Sequence, residues 1–377
     1  MNSFNKHYSR RDFLKLAGLG LGALALRPLT SRQGAYQINH ARFLPDFPQA
    51  DVLGRNCTAD TSMQWGGTIP IMTHPDVGST KVRDAHRDEV FPWLKEVSAE
   101  NIDVNLPNQR WVETPEGYIH SLYLQPCRNI PNIALAALPA GQAGFWGEVT
   151  VPYVDLVTEK AVSGWMRDHA TYSLQARLYY SQVMWIDAIR TSDSGTIQYH
   201  VNERYGNPGD LFWAEGAAFR PLTVEDVSPI NPDVDPATKK IVVNTSYQTL
   251  TCKEGDQEVY FCRVSTGMQD GSTPLGEHAI WRKLISVRMA ANTVASSYDL
   301  PGISWTTLFV GDGVAIHGAT SHNDFGTVRS HGCVNCRPED AKWVFRWSQP
   351  EVGLDTGEKT WSDWTSGSTH VIVEDTF

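Results

Sequence analysis

The sequence predicts a mainly β chain built of several small modules, with one short helix near its C-terminal end. Three observations carry this. Short runs of aromatic and β-branched residues alternate with polar ones between Gly, Pro, Asn and Asp clusters. Thirteen Trp and 21 Pro suit strands and ordered loops better than long helices. The one expected helix lies near Pro338-Glu339-Asp340-Ala341-Lys342-Trp343-Val344-Phe345, with Pro at an early helical position and acids in the first turn. Arg337 is a poor N-cap for it. A length of 377 residues suits two or three domains.

The N-terminus reads as an export signal. Ser9-Arg10-Arg11-Asp12-Phe13-Leu14-Lys15 precedes an apolar run from Leu16 to Leu26. A charged region followed by a short apolar one is the order of a signal peptide. The paired arginines resemble the twin-arginine signal, a receptor-read address for export. The run is shorter than the roughly 20 residues a spanning helix needs. Residues 1–26 are thus expected to be a signal peptide, with Ala23-Leu24-Ala25 as a cleavage site. The protein is then exported to the cell wall, the periplasm or the exterior, and stays tethered if the signal is not cleaved. Residues 27–64, rich in Pro, Asn, Asp and Gln, read as a linker.

Two β modules are expected next. Residues 65–130 end in Gln109-Arg110-Trp111-Val112-Glu113-Thr114-Pro115-Glu116-Gly117-Tyr118-Ile119-His120, where aromatic and β-branched strands flank a Pro-Glu-Gly turn. Residues 145–229 hold Ala176-Arg177-Leu178-Tyr179-Tyr180, Val183-Met184-Trp185-Ile186 and Leu211-Phe212-Trp213-Ala214. Both patterns resemble bacterial SH3-like domains, small β-barrels. Their shared logic suggests a degenerate duplication. The aromatics read as filling small cores rather than as sugar platforms.

After Asn231-Pro232-Asp233-Val234-Asp235-Pro236, a last domain opens with the strand Lys240–Asn244. Val259–Val264, Val314–Ile316 and His370–Val373 are further strands. The formal net charge of -10, with no Lys/Arg cluster beyond the N-terminus, argues against nucleic acid as a partner. Six cysteines are too few for a disulfide-held scaffold of this length. Cys252 and Cys262 flank a turn signal and stand near enough for a disulfide, although the register is open. The spacing of Cys333 and Cys336 is compatible with redox chemistry or half a metal site, but no second such pair exists.

The strongest local signal is Ala315-Ile316-His317-Gly318 followed by Arg329-Ser330-His331-Gly332-Cys333-Val334-Asn335. A nucleophilic thiol needs a base. His331 is two residues from Cys333, an awkward spacing for contact along one strand. His317 comes from a separate strand and is the better base. Gly332 lets the backbone approach a reacting carbonyl, and the Gly332 or Cys333 amide is a candidate oxyanion donor. His317, His322, His331 and Cys333 are also legitimate zinc ligands. No Glu-bearing helix or paired carboxylate accompanies them, so no metal is assigned.

These residues, with Val264-Ser265-Thr266-Gly267 and Ser272-Thr273-Pro274-Leu275-Gly276, resemble the L,D-transpeptidases of peptidoglycan over residues 238–375. The resemblance implies a β-sandwich catalytic domain with a short helix. It implies a Cys333 thioester, His317 as base and the Gly318 carbonyl orienting its ring. His331, Gly332, Ser330, Arg329 and Asn335 would shape and support the oxyanion site. Tyr298, Trp305 and His322 are candidates for the substrate groove, Tyr298 and Trp305 equally for core packing, and Cys336 for a buried apolar filler. Peptidoglycan stem peptides, the cell wall and the twin-arginine machinery are the expected partners, and no cofactor is needed. Transfer to an acceptor amine makes a crosslink; attack by water makes the same site an L,D-carboxypeptidase. A non-catalytic wall-binding protein is the alternative of another class.

Overall fold

Most of the alternating sequence patterns become strands in the computed structural model. It describes residues 44–376 except 59–67, 105–106, 161–174, 206–209, 294–295, 312 and 361–366, and the side chains of 291–299 are also outside the description. The segment read as a signal peptide, 1–26, lies outside the described residues, as does most of the expected linker.

The first module contains β1 (Leu53–Asn56), β2 (Ile69–Met72), β3 (Lys81–Ala85), β4 (Val90–Pro92), β5 (Lys95–Ser98), β6 (Arg110–Thr114), β7 (Gly117–His120) and β8 (Leu124–Cys127). β1 falls inside the stretch expected as linker. Its four residues carry no alternation because all are buried. β1 pairs with β4 and β8, β2 pairs with β3 and β7, and β6 joins β7 to β5. A 3-10 turn, Ser121–Tyr123, precedes β8.

The second module contains β9 (Phe145–Val149), β10 (Tyr153–Lys160), β11 (Arg177–Tyr179), β12 (Val183–Thr191), β13 (Ile197–Asn202), β14 (Leu211–Glu215) and β15 (Phe219–Pro221). β9 pairs with β12 and β15, β10 with β11 and β14, and β13 joins β14 to β12. A 3-10 turn, Gly216–Ala218, precedes β15. This is the pairing scheme of the first module used again, with β12 standing where β4 and β5 stand there. Phe145, Tyr199, Phe212 and Phe219 fill its core. The half-buried indole of Trp213 has Arg190 3.9 Å from its centroid and the His200 ring at 5.0 Å. With both groups against it, the ring makes a poor sugar platform.

A short helix, α1 (Val224–Val227), leads to the last domain. Its strands are β16 (Lys239–Asn244), β17 (Thr249–Glu254), β18 (Gln257–Arg263), β19 (Gly276–Ala279), β20 (Arg282–Thr293), β21 (Ser296–Leu308), β22 (Ala315–Gly318), β23 (Val334–Cys336), β24 (Glu358–Thr360) and β25 (His370–Glu374). Two five-stranded sheets form, ordered β18-β17-β16-β25-β19 and β23-β22-β21-β20-β24. Ile241, Val243, Leu250, Val264, Ile316 and Val334 close a β-sandwich core between them, and α2 (Pro338–Trp347) adds Val344 and Phe345. Among the described residues no helix is long and apolar enough to cross a membrane.

α2 starts at Pro338 with Arg337 at the N-cap making no side-chain cap. Its other end is met by two buried ammonium groups. Lys239 Nζ donates to the Trp347 carbonyl, and Lys283 Nζ donates to those of Phe345 and Ser348. Cations at a helix C-terminus satisfy orphan carbonyls and oppose the helix dipole.

Candidate active site

Three backbone segments converge on the loop that carries Cys333. Ser265 exchanges both backbone hydrogen bonds with Asn335, each 2.9 Å. The Thr266 carbonyl accepts from the Arg329 and Ser330 amides, and the Ser330 carbonyl accepts from Met268. Thr273 Oγ1 then ties the third segment in. It donates to the Gly332 carbonyl at 2.8 Å and accepts from the Gly267 amide at 3.0 Å. Gly332 has φ +153°, and a Cβ there would stand 2.5 Å from the Ser272 carbonyl. Only glycine lets the two loops approach this closely. Ser330 Oγ closes the turn, donating to the Cys333 carbonyl at 2.5 Å and accepting from the Gly332 amide at 3.0 Å.

β22 and β23 run parallel, with His317 opposite Asn335 and Ile316 opposite Val334. Side chains alternate along a strand, so Val334 and Ile316 enter the core while Cys333, Asn335 and His317 share the other face. His317 Nδ1 lies 3.0 Å from the Gly318 carbonyl. A carbonyl only accepts, so Nδ1 carries the proton and Nε2 keeps the lone pair. His317 is buried, and burial lowers its pKa below the ordinary value. Cys333 is partly exposed, and its thiol donates toward the Gly313 carbonyl at 3.8 Å. Desolvation raises its pKa, opposed by a backbone hydrogen bond from Ala315. Both shifts favour the neutral forms at rest.

His322 stands beside this pair and is partly buried. It is pushed down to about 3 by burial, and by the nearby Arg329 and His317. The ring is therefore neutral. Nδ1 accepts from the Asp324 amide at 3.3 Å, which leaves the proton on Nε2, 3.2 Å from the Asn335 carboxamide. Turning the carboxamide oxygen toward that N–H supplies a partner to Asn335 Oδ1, which otherwise has none. Arg329 forms an ion pair with Asp324 at 2.6 Å.

The other sequence candidates scatter. His331 is exposed. Trp305 is a core residue, 1% exposed and edge-on to Phe345 with centroids 5.4 Å apart, which favours its packing reading over the groove one. Tyr298 lies in β21 opposite Ala291, and its side chain is outside the described residues. Cys336 faces the core with Cys252 and Cys262. No disulfide joins these three thiols; Cys252 pairs with Tyr260 and Cys262 with Leu250, so the two are offset in register. Among the described residues no three metal-ligating side chains gather. Gln248, Asp324 and the first module's Arg55 escaped the sequence reading. Gln248 holds Thr266 at both its amide and its hydroxyl, 2.7 and 2.6 Å.

Residues 238–372 match the family model of the YkuD L,D-transpeptidase catalytic domain. No curated protein matches the chain. An L,D-transpeptidase from Enterococcus faecium shares 20% identity over 36% of this chain and 49% of its own, with a TM-score of 0.29. One from Stackebrandtia nassauensis shares 20% over 40% and 60%, with a TM-score of 0.25. One from Mycobacterium smegmatis shares 17% over 51% and 90%, with a TM-score of 0.29. The chain thus spans about half the length of the first of these proteins.

Proposed function

We propose, from the premise that residues 238–372 are an L,D-transpeptidase catalytic domain, that this protein is an exported enzyme joining peptidoglycan stem peptides through a thioester on Cys333. The observation that carries the reading is the shared face of Cys333 and His317, with the histidine lone pair left on Nε2 by the Gly318 bond. His317 takes the thiol proton as sulfur attacks the carbonyl between an L-configured centre and the terminal D-residue of a tetrapeptide stem. The C–N bond breaks, and the proton passes from His317 to the departing amine. An amine from a second stem then attacks the thioester and gives a proton back to the thiolate by way of His317. The Gly332 amide is engaged by Ser330 Oγ, so the Cys333 amide is the better oxyanion donor. The front modules, read as SH3-like, hold the enzyme at the wall, and the twin-arginine signal exports it.

The test is to incubate the mature protein with a disaccharide tetrapeptide and follow intact mass and products. The expected adduct on Cys333 has the donor mass less the terminal residue, followed by dimeric muropeptide; tripeptide alone would make the enzyme a carboxypeptidase. Cys333→Ala should abolish every product. Cys336→Ala, buried on the opposite face, should stay active. Undiminished release of the terminal residue by Cys333→Ala would defeat the thioester.

A further inference from the structure

Arg55 lies outside the catalytic domain, in β1 of the first module, and is 2% exposed. Its guanidinium has five N–H donors. All five find acceptors. Nε donates to Gln125 Oε1 at 3.0 Å, and Nη1 to Asp88 Oδ1 at 2.8 Å and the Asn56 carbonyl at 3.4 Å. Nη2 donates to Gln125 Oε1 at 2.6 Å and to the Thr320 carbonyl at 2.7 Å. The cation also sits 3.8 Å over the Tyr179 ring of the second module. One side chain therefore joins all three parts of the chain.

Thr320 is two residues beyond Gly318, whose carbonyl fixes the His317 ring. The strap that follows, 319–324, is gripped from both sides. On the module side, Arg55 holds Thr320, while Asn323 donates its amide to the Leu122 carbonyl and its Nδ2 to the Ser121 carbonyl, both at 3.2 Å. Ser121 and Leu122 form the 3-10 turn before β8. On the catalytic side, the Ala319 amide donates to the Cys336 carbonyl at 2.9 Å, and His322 meets Asn335. Asp324 accepts Arg329 through its carboxylate and Ser265 Oγ through its carbonyl.

We propose that the first module is a working part of the active centre and that Arg55 is a positioning residue, setting the strap that holds His317 and Asn335 against Cys333. This rests on the reading of Cys333 and His317 as the reacting pair. Without the module side, the strap loses its anchors at Thr320 and Asn323, between the catalytic-side contacts of Ala319 and Asp324. Misplacement by about 1 Å is enough to cost about a hundredfold in rate. Lysine at position 55 keeps the charge beside Asp88 but cannot serve Gln125, Asp88 and Thr320 from one planar fork.

The experiment uses the full chain with Arg55→Lys, Asn323→Ala and His317→Ala. Each is checked for folding by circular dichroism, then read by the pH profile of Cys333 alkylation with iodoacetamide and by kcat and KM on a disaccharide tetrapeptide. Arg55→Lys and Asn323→Ala should lose about tenfold in alkylation rate near neutral pH. Their profiles should move toward that of His317→Ala, and kcat should fall with KM unchanged within about twofold. If Arg55→Lys fails to fold, Asn323→Ala decides, since it removes only a side-chain contact at the module's turn. A folded Asn323→Ala or Arg55→Lys with the wild-type profile and kcat overturns the proposal. If His317→Ala changes the profile and the strap variants do not, this proposal falls and the base assignment stands. If His317→Ala has no effect, both fall. Alkylation needs no peptidoglycan, so the outcome is readable even if the muropeptide is not a substrate.

Discussion

His317 holds its one proton on Nδ1 and presents a lone pair on Nε2. Burial disfavours its charged form, so the ring stays neutral to lower pH than an ordinary imidazole. The Cys333 thiol is shifted the other way and gives little thiolate unaided at neutral pH. On the proposed mechanism the reactive state is neutral thiol beside neutral imidazole. It is lost on the acid side as His317 protonates, and its folded pKa is depressed. The acid limb of kcat/KM should lie below pH 6.5, the ordinary histidine value. His317→Ala should slow alkylation of Cys333 at pH 7 by about a hundredfold, with recovery above pH 9, where the thiol ionises alone. A wild-type acid limb above pH 7 would contradict this account. At this scale the placing of Cys333 and His317 on one face was legible because their neighbours, Ser330-His331-Gly332 and Gly318, are themselves specific in type and order. Thr273 was legible only as a member of a loop, without its bond to Gly332. Arg55 and Gln248 left no signal, because their partners are remote in sequence and ordinary surface residues share their types.

Helix α2 shows how an element can be visible at one end only. Pro338, Glu339 and Asp340 mark its start in the sequence. Its end is written elsewhere, in Lys239 of β16 and Lys283 of β20. Lysine within a strand normally signals a solvated face, yet Lys283 is 1% exposed. That inversion helped hide β20. β21 was hidden by Pro301 and Gly302 within it, and the pairing of the two strands shifts register between Val287 and Met289. Lys283→Met should fill much of the same space but leave the Phe345 and Ser348 carbonyls without their donor. The expected cost is about 1–3 kcal/mol for a buried acceptor left unmet, seen as a lower urea midpoint with an unchanged m value. An unaltered midpoint would mean that the ammonium contributes no net capping energy.

Across the whole molecule, a repeated pairing scheme precedes the C-terminal sandwich, and neither front module is a loose appendage. Ser304 Oγ donates to the Ser181 carbonyl, Gln182 Nε2 to that of Pro301 and Trp146 Nε1 to that of Leu354. The mainly β character was readable from strand spacing and turn residues. The docking was not, because hydrogen bonds to backbone carbonyls require no particular residue on the accepting side. The paired arginines bear on where this assembly is made. Arg10→Lys together with Arg11→Lys should hold the protein inside the cell, measured by fractionation, whereas normal export of the double variant would remove the twin-arginine assignment.

The parallel pairing of β16 with β25 has a consequence for synthesis. The first strand of the sandwich lies between β17 and a partner from its far end, so during translation one flank stays open while β17 to β24 emerge. Closure waits until residues 370–374 have left the ribosome. Through that interval β16 exposes an edge able to pair with other chains, the hazard attached to non-local strand order. A nascent chain stalled before residue 370 should therefore be sensitive to protease across 239–244, and become resistant once the stall point moves far enough for β25 to reach its place.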